Sequence, residues 1–224
     1  MKEDIRTIPI NDIFSQKKGC PFCTMEKMLE ENQVAYIVGD AMMEPNTRIE
    51  TNKKGFCHRH FSMMTKEGNK LPNALILESH LQEIIDSLPK GKKPDKKFLA
   101  KINQLTRSCY VCDRIENNMN HLIQIVLTEW KKGNEFESLY RGQEFVCLEH
   151  YGKVMEEANS SLRGSNLTDF YDATTSLFKN YLKDLKEDAT YFCSMFDYRS
   201  QGKDWGKSID IIERSIEFLT KEKP

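Results

Sequence analysis

The motif Cys20-Pro21-Phe22-Cys23 is followed, after residues 24–56, by Cys57-His58-Arg59-His60, and the same order recurs as Cys109-Tyr110-Val111-Cys112 and Cys147-Leu148-Glu149-His150. Thirty-three residues separate the two motifs in the first copy, and 34 residues separate them in the second. An aromatic residue, Phe61 or Tyr151, follows the histidine each time. This agreement in order, spacing and flanking residues indicates a tandem duplication.

The repeated motifs contain the residue types that bind zinc. Thiolate sulfur and imidazole nitrogen are preferred zinc ligands, and four of them complete a tetrahedral site. A Cys-x-x-Cys turn presents two sulfurs to one ion, and Cys-x-x-His on the first turn of a helix presents two more ligands from one face. We therefore expect two zinc ions per chain, one bound by Cys20, Cys23, Cys57 and His60, the other by Cys109, Cys112, Cys147 and His150. The spacing leaves open an exchanged pairing, in which the Cys-x-x-Cys of one copy joins the Cys-x-x-His of the other.

Helical periodicity follows each cysteine pair. Apolar residues recur at helical spacing after Cys23 and again from Ile115 to Trp130, so each pair is expected near a helix N-terminus, where the helix dipole favours thiolate. We also predict helices from near Pro45 to Gly55, from Cys57 to about Lys66, from Pro72 to Leu88, from Cys147 to about Glu157, and from Leu167 to Leu185. Strand-like alternation occurs only in residues 5–10, which predicts an all-α fold.

The segment 89–97 combines proline, glycine and five lysines, which is typical of a solvated linker. It divides the chain into residues 1–90, a first helical metal-binding repeat with an N-terminal segment, and residues 91–224, which hold this linker, the second repeat and a C-terminal tail. We expect both repeats to pack as one pseudo-symmetric domain, because each alone has a thin core. A basic patch for phosphate backbones is the alternative reading of the lysines.

The composition restricts the classes of partner and compartment. The formal net charge is -1 and 30% of the residues are charged, so we expect no nucleic-acid partner. The charged N-terminus and the lack of a long apolar stretch predict neither a secretory signal nor a membrane span. We expect a cytoplasmic protein, where seven cysteines favour metal or redox chemistry over disulfides.

Several residues outside the eight ligands have two interpretations. His58 competes with His60, but the second copy has leucine at that place, so we expect His58 to be exposed. Cys193 lies in an apolar run and is expected to be a buried, inert thiol, with a reactive thiol as the alternative. The tail that contains Phe196, Tyr198 and Trp205 is expected to pack onto the helical core, with a partner-binding surface as the alternative.

Taken together, these motifs resemble an uncharacterised bacterial family known as domain of unknown function 6062. The resemblance covers nearly the whole chain and is carried by residues 8–14, 20–23, 42–57 with His60, 109–114, Cys147 with His150, 196–199 and 205–206. The family has no established activity, so the resemblance implies none for this chain.

The sequence favours a zinc-stabilised helical scaffold that binds an unknown protein or small-molecule partner. It contains no His-Glu-x-x-His motif, phosphate loop or nucleophile elbow, and four ligands per site leave no open position on the metal, so we expect a protein that is not an enzyme. One alternative is a thiol-based redox sensor or redox-regulated chaperone. A third hypothesis is an iron–sulfur electron-transfer protein, since cysteine and histidine can also ligate a cluster.

Overall fold

The computed structural model describes residues 8–68, 70–133 and 135–224, and these residues form helices, turns and loops without any strand. The α-helices are α1 (Ile8–Ser15), α2 (Pro21–Val38), α3 (Pro45–Lys54), α4 (His58–Lys66), α5 (Lys70–Asp86), α6 (Lys96–Leu105), α7 (Tyr110–Lys132), α8 (Glu135–Arg141), α9 (Leu148–Ser161), α10 (Gly164–Ser194) and α11 (Ile211–Thr220). Short 3-10 helices span Asp40–Met43, Tyr198–Ser200 and Gly206–Asp210.

The predicted all-α class is confirmed. Of the strand-like segment, residues 8–10 belong to α1, and residues 5–7 lie outside the described part of the chain. The helix predicted between Pro45 and Gly55 is present, with Pro45 in its first turn and Gly55 at its C-terminal end. Within the described residues, no helix combines the length and apolar character that a membrane span needs.

The chain divides into two compact units, one formed by Met1–Met25 with Asn120–Pro224 and the other by Glu26–Met119. The expected division at residue 90 follows the sequence repeat rather than these units, and the single pseudo-symmetric domain remains a prediction. The linker 89–97 is exposed, as expected of a solvated segment, and lies in the second unit.

An aromatic cluster forms the centre of the first unit. Tyr140 from α8 is fully buried and stacks on Phe14 of α1, with ring centroids 5.6 Å apart. Trp130 at the end of α7 and Phe170 of α10 pack edge-on at 5.1 Å, and both also contact Tyr140. The Tyr140 hydroxyl lies 2.9 Å from Thr174 Oγ1, so its polar end is satisfied inside this apolar cluster.

The second unit packs α3 against α5 and joins the start of α7 to the end of α3. Thr51 of α3 and Ile76 of α5 are buried in this packing. Gly55 accepts a hydrogen bond from the backbone N–H of Tyr110 at 2.9 Å, and Ser108 Oγ donates to the Lys54 carbonyl at 2.7 Å. These bonds fix the loop before α7 on the C-terminal end of α3.

One expectation for the C-terminal part of the chain is wrong, and a second is met only for Trp205, which packs on Phe192 of α10 at a centroid distance of 5.2 Å. Cys193 is exposed rather than buried, because it points away from the face that α10 packs into the first unit. Phe196 and Tyr198 are 73% and 85% exposed, so the tail does not bury them in the core. Phe196 instead packs on Phe192 and Trp205, at centroid distances of 5.4 Å and 5.7 Å, in a cluster on the surface of the unit.

Candidate metal centres

All eight predicted ligands occupy equivalent positions at the starts of four helices. Cys20, Cys57, Cys109 and Cys147 each directly precede a helix, and each carbonyl accepts a hydrogen bond from the backbone N–H four residues on. The second ligand of each motif is the third residue of that helix. Cys57 and Cys147 have nearly identical extended conformations, with φ of -73° and -68° and ψ of 164° and 167°. Because residues three apart share a helix face, each motif directs both ligands to one point.

The ligands form two groups, each contained in one compact unit. We call them site A, which consists of Cys20, Cys23, Cys147 and His150, and site B, which consists of Cys57, His60, Cys109 and Cys112. Within each group the ligand atoms all lie within 4.8 Å of one another, so each group could hold a metal ion. Site A belongs to the first unit and site B to the second.

This grouping corrects the in-copy pairing expected from the sequence and corresponds to the exchanged alternative. The helix lengths favour this grouping. Helix α2 has 18 residues and is therefore about 27 Å long, whereas α3, with 10 residues, is about 15 Å long and by itself covers little more than half of the distance back to Cys20. The same holds after Cys112, where the 23 residues of α7 are followed by only the seven residues of α8.

The distances between ligand atoms fit a tetrahedral ion. Four-coordinate zinc with typical bond lengths has sulfur–sulfur edges of about 3.8 Å and sulfur–nitrogen edges of about 3.5 Å. In site A, Cys23 Sγ lies 3.5 Å from Cys147 Sγ, and His150 Nδ1 lies 3.2, 3.4 and 3.9 Å from the sulfurs of Cys147, Cys23 and Cys20.

Site B has the same geometry. Cys57 Sγ lies 4.0 Å from Cys112 Sγ, and His60 Nδ1 lies 3.2 Å from both Cys57 Sγ and Cys109 Sγ and 3.5 Å from Cys112 Sγ. Both histidines therefore direct Nδ1 at the sulfurs, and the four distances given for each site are within a few tenths of an ångström of the tetrahedral values.

Crowding raises the pKa of one thiol in each site, Cys23 in site A and Cys112 in site B. In site A, hydrogen bonds with Cys147 and Cys20, together with burial, raise the pKa of Cys23, whereas hydrogen bonds from Cys20 and Cys23 lower the pKa of Cys147. In site B, burial and the charges of Cys109 and Cys57 raise the pKa of Cys112. Neighbouring thiolates repel one another, so a cation among the sulfurs would favour ionisation of the whole set.

Site B also has a buried carboxylate behind its histidine. Glu30 of α2 is 8% exposed, and its Oε1 lies 3.0 Å from His60 Nε2. Arg59 donates to Glu30 Oε2 at 2.8 Å, and hydrogen bonds from His60 and Arg59 lower the pKa of Glu30. Burial opposes protonation of His60, but Cys109 and Glu30 outweigh it and raise the pKa of His60 to about 10. A carboxylate at Nε2 holds the ring with Nδ1 toward the sulfurs.

Glu30 was not identified from the sequence. A signal was available, because Glu30 lies four residues before the buried Val34 and therefore on the apolar face of α2. A carboxylate on that face needs a partner, and a predicted ligand is a suitable one. In site A the His150 ring is fully buried and packs on Phe22, with ring centroids 5.9 Å apart.

The remaining histidines lie outside both groups. His58 is exposed, as expected. His80 Nδ1 lies 3.1 Å from the backbone oxygen of Asn52, and His121 is exposed on α7. Of the seven cysteines, Cys193 alone takes part in neither site.

The chain matches a protein family, but no individual curated protein or solved structure. The sequence profile of the Family of unknown function (DUF6062) matches residues 1–224, the full length of the chain. No curated protein and no solved structure is significantly similar to it. The resemblance noted from the repeated cysteine and histidine motifs is thereby confirmed, and the chain belongs to this family of unknown function.

Proposed function

We propose that this chain is a zinc-binding helical protein in which two zinc ions, one in site A and one in site B, stabilise the fold. The observation that supports this most directly is that each group brings three sulfurs and one imidazole nitrogen together, at edge distances close to those around a tetrahedral zinc ion. Zinc suits this donor set because it accepts soft and borderline ligands and has no geometric demand beyond four-coordination.

A structural role for both ions is supported by the completeness of the ligand sets. Catalytic zinc keeps one position for water or substrate, whereas each site here offers four protein ligands. In site A the ligands Cys20, Cys147 and His150 are at most 4% exposed, which leaves little access for a substrate. Two helix starts meet at each site, so each ion would join two segments of the chain. In site A these segments are more than a hundred residues apart in the sequence.

We also propose that the two sites arose by duplication of one unit that carries both motifs. The shared ligand positions, before the helix and on its third residue, support this in all four motifs. The matching backbone angles of Cys57 and Cys147 support it further. In this proposal the motifs of the two copies have exchanged partners, so that each site contains one motif from each copy.

The proposed scaffold would bind a protein or small-molecule partner in a reducing, cytoplasmic setting, where the thiols remain available to metal. A surface cluster of Phe192, Phe196 and Trp205 supports such a role, together with the exposed Tyr198 two residues after Phe196. Exposed aromatic groups are enriched in binding surfaces and reduce solubility when they have no partner there. Phe196 is 73% exposed and Tyr198 is 85% exposed.

Elemental analysis and a visible spectrum of protein purified without oxygen test the proposal. We expect about two zinc ions per chain, in accord with two four-ligand sites, and no absorption in the visible range. Iron with sulfide and a coloured protein would replace zinc with an iron–sulfur cluster. A metal-free protein that keeps its helicity and thermal stability would contradict the structural role.

A further inference from the structure

Sites A and B differ in how far their sulfurs are accessible. In site A, Cys20 and Cys147 are buried and Cys23 is half-buried. In site B only Cys109 is buried, Cys57 is half-buried, and Cys112 is exposed on the first turn of α7. Site B therefore has a buried half, formed by Cys109 and His60, and an accessible half, formed by Cys57 and Cys112.

His60, in the buried half of site B, is held by contacts that do not involve the sulfurs. Glu30 Oε1 lies 3.0 Å from His60 Nε2, on the side of the ring opposite the sulfurs. Arg59 in turn donates to Glu30 Oε2 at 2.8 Å. The accessible sulfurs, those of Cys57 and Cys112, lie 4.0 Å apart. Because an S–S bond is about 2.05 Å long, the two sulfurs would have to move about 2 Å closer to form a disulfide. The corresponding sulfurs of site A are closer, at 3.5 Å, so access rather than distance distinguishes the two sites.

We propose that Cys112 is a peroxide-reactive thiolate and that its oxidation releases the metal of site B while site A keeps its own. This inference rests on the proposed function, because it requires metal-bound thiolates. The zinc-bound thiolate is still a nucleophile, and solvent access determines which one reacts. Cys57 is the resolving sulfur, since it shares the accessible half of the site.

The reaction balances with hydrogen peroxide as the oxidant. Cys112 Sγ attacks one peroxide oxygen, the O–O bond breaks, and hydroxide leaves and takes up a proton, which gives a sulfenic acid and water. Cys57 Sγ then attacks the Cys112 sulfur, the S–O bond breaks, and a second hydroxide is protonated. The two thiolates lose two electrons to the peroxide, and zinc loses two of its four ligands and leaves.

The test uses the full chain with Cys193→Ser, which removes the exposed thiol that belongs to neither site. The zinc-loaded protein is treated with hydrogen peroxide, released zinc is followed with a chromophoric chelator, and disulfides are mapped by mass spectrometry. We expect release of one of the two zinc ions, a Cys57–Cys112 disulfide, and rebinding of zinc after reduction. Equal loss from both sites, earlier oxidation of site A, or a disulfide that lacks either Cys57 or Cys112 would overturn the proposal.

Two matched variants keep the four-ligand count of each site. Cys112→His replaces the reactive sulfur with another zinc ligand. The zinc that this variant binds before oxidation should stay bound in the presence of peroxide. Cys23→His makes the equivalent change in site A and should release the zinc of site B as before. Zinc content before oxidation separates the two ideas: a protein without zinc contradicts the proposed function, whereas a zinc-loaded protein that resists peroxide contradicts only this inference.

Discussion

Gly19 donates its backbone N–H to Oε2 of Glu144 at 2.7 Å. Gly19 directly precedes Cys20, and Glu144 lies three residues before Cys147. In site B, Ser108 directly precedes Cys109 and donates through Oγ to the carbonyl of Lys54, three residues before Cys57. Equivalent positions therefore make the contact that closes the loop of each site, although the chemical groups differ.

A second contact of site B has no counterpart in site A for a covalent reason. Tyr110 donates its N–H to the Gly55 carbonyl, but the equivalent residue of site A is Pro21, which has no N–H to donate. The bond from Gly19 to Glu144, the counterpart of the bond from Ser108 to Lys54, joins the two loops of site A without this second contact. A difference of this kind is consistent with divergence after the proposed duplication.

Metal counts on double variants distinguish the exchanged pairing from the in-copy pairing. Cys20→Ala with Cys147→Ala removes two ligands from site A alone, so we expect one zinc ion to remain. Cys20→Ala with Cys57→Ala removes one ligand from each site, so we expect neither ion to remain tightly bound. Elemental analysis after gel filtration measures both variants. In-copy pairing would give the reverse result, with one ion in the Cys20/Cys57 variant.

The sequence was sufficient to predict the helices that begin at the four motifs, the helix that ends at Gly55, and the positions of the candidate ligands. It did not predict α1, α6, α8 and α11 or the pairing of the motifs. Local chemistry determines the features that were predicted, since Pro45, Gly55 and the three-residue ligand spacing act within a few residues. The pairing depends on how far each helix carries the chain before it turns. That distance is determined by where α2 and α7 end, and helix ends are the least certain feature of a periodic pattern.

The exposure of Cys193 and Phe196 was also beyond the reach of the sequence pattern. An apolar run at the end of a helix normally predicts burial, because hydrophobic burial is the main favourable term in folding. The run 191–196 instead lies at the end of the 31-residue α10, where only part of the helix has a partner to pack against. Burial there is a property of the tertiary packing and not of the local sequence.

Loss of a site A ligand is expected to unfold the first unit. Structural zinc contributes on the order of 10 kcal/mol to folding, which is comparable to the whole stability of a domain. Cys147→Ala should therefore lose one zinc ion, reduce the helical circular dichroism signal, and expose the amides of α9 and α10 to hydrogen exchange. Cys193→Ala, in the same unit but outside the site, should keep both ions and the signal. Unchanged helicity and thermal midpoint in Cys147→Ala would exclude a structural role for site A.

Glu30→Gln is expected to weaken metal binding at site B while site A remains unchanged. The amide removes the negative charge that holds His60 through Nε2 and that accepts the hydrogen bond from Arg59. Loss of such a supporting carboxylate typically lowers metal affinity by about 10- to 100-fold. Competition with a chelator of known affinity measures the change for each ion. Glu31→Gln is the matched control, because Glu31 is the next residue on α2 and its 61% exposed side chain pairs with Lys27. An equal loss of metal affinity in both variants would contradict the role of Glu30.

Substitutions of two glycines by alanine are expected to change stability in opposite directions. Gly55 has φ of 63° and ψ of -161°, a conformation that is essentially restricted to glycine, and an added Cβ would lie 3.4 Å from the His80 ring. Gly55→Ala should therefore reduce the free energy of unfolding by about 1–3 kcal/mol. It should also weaken site B, because the Gly55 carbonyl accepts from Tyr110 beside Cys109.

Gly152 lies within α9, where an added Cβ would meet nothing within 4 Å. Alanine loses less conformational entropy than glycine in a helix, so Gly152→Ala should raise the free energy of unfolding by about 0.5–1 kcal/mol. Urea denaturation of both zinc-loaded variants and the parent protein measures the two changes under the same conditions. Gly55→Ala with the urea midpoint and the two zinc ions of the parent protein would contradict this prediction. That result would mean that the turn from α3 into site B can adopt an ordinary backbone conformation. It would also mean that this turn is not what holds Cys57 beside Cys109.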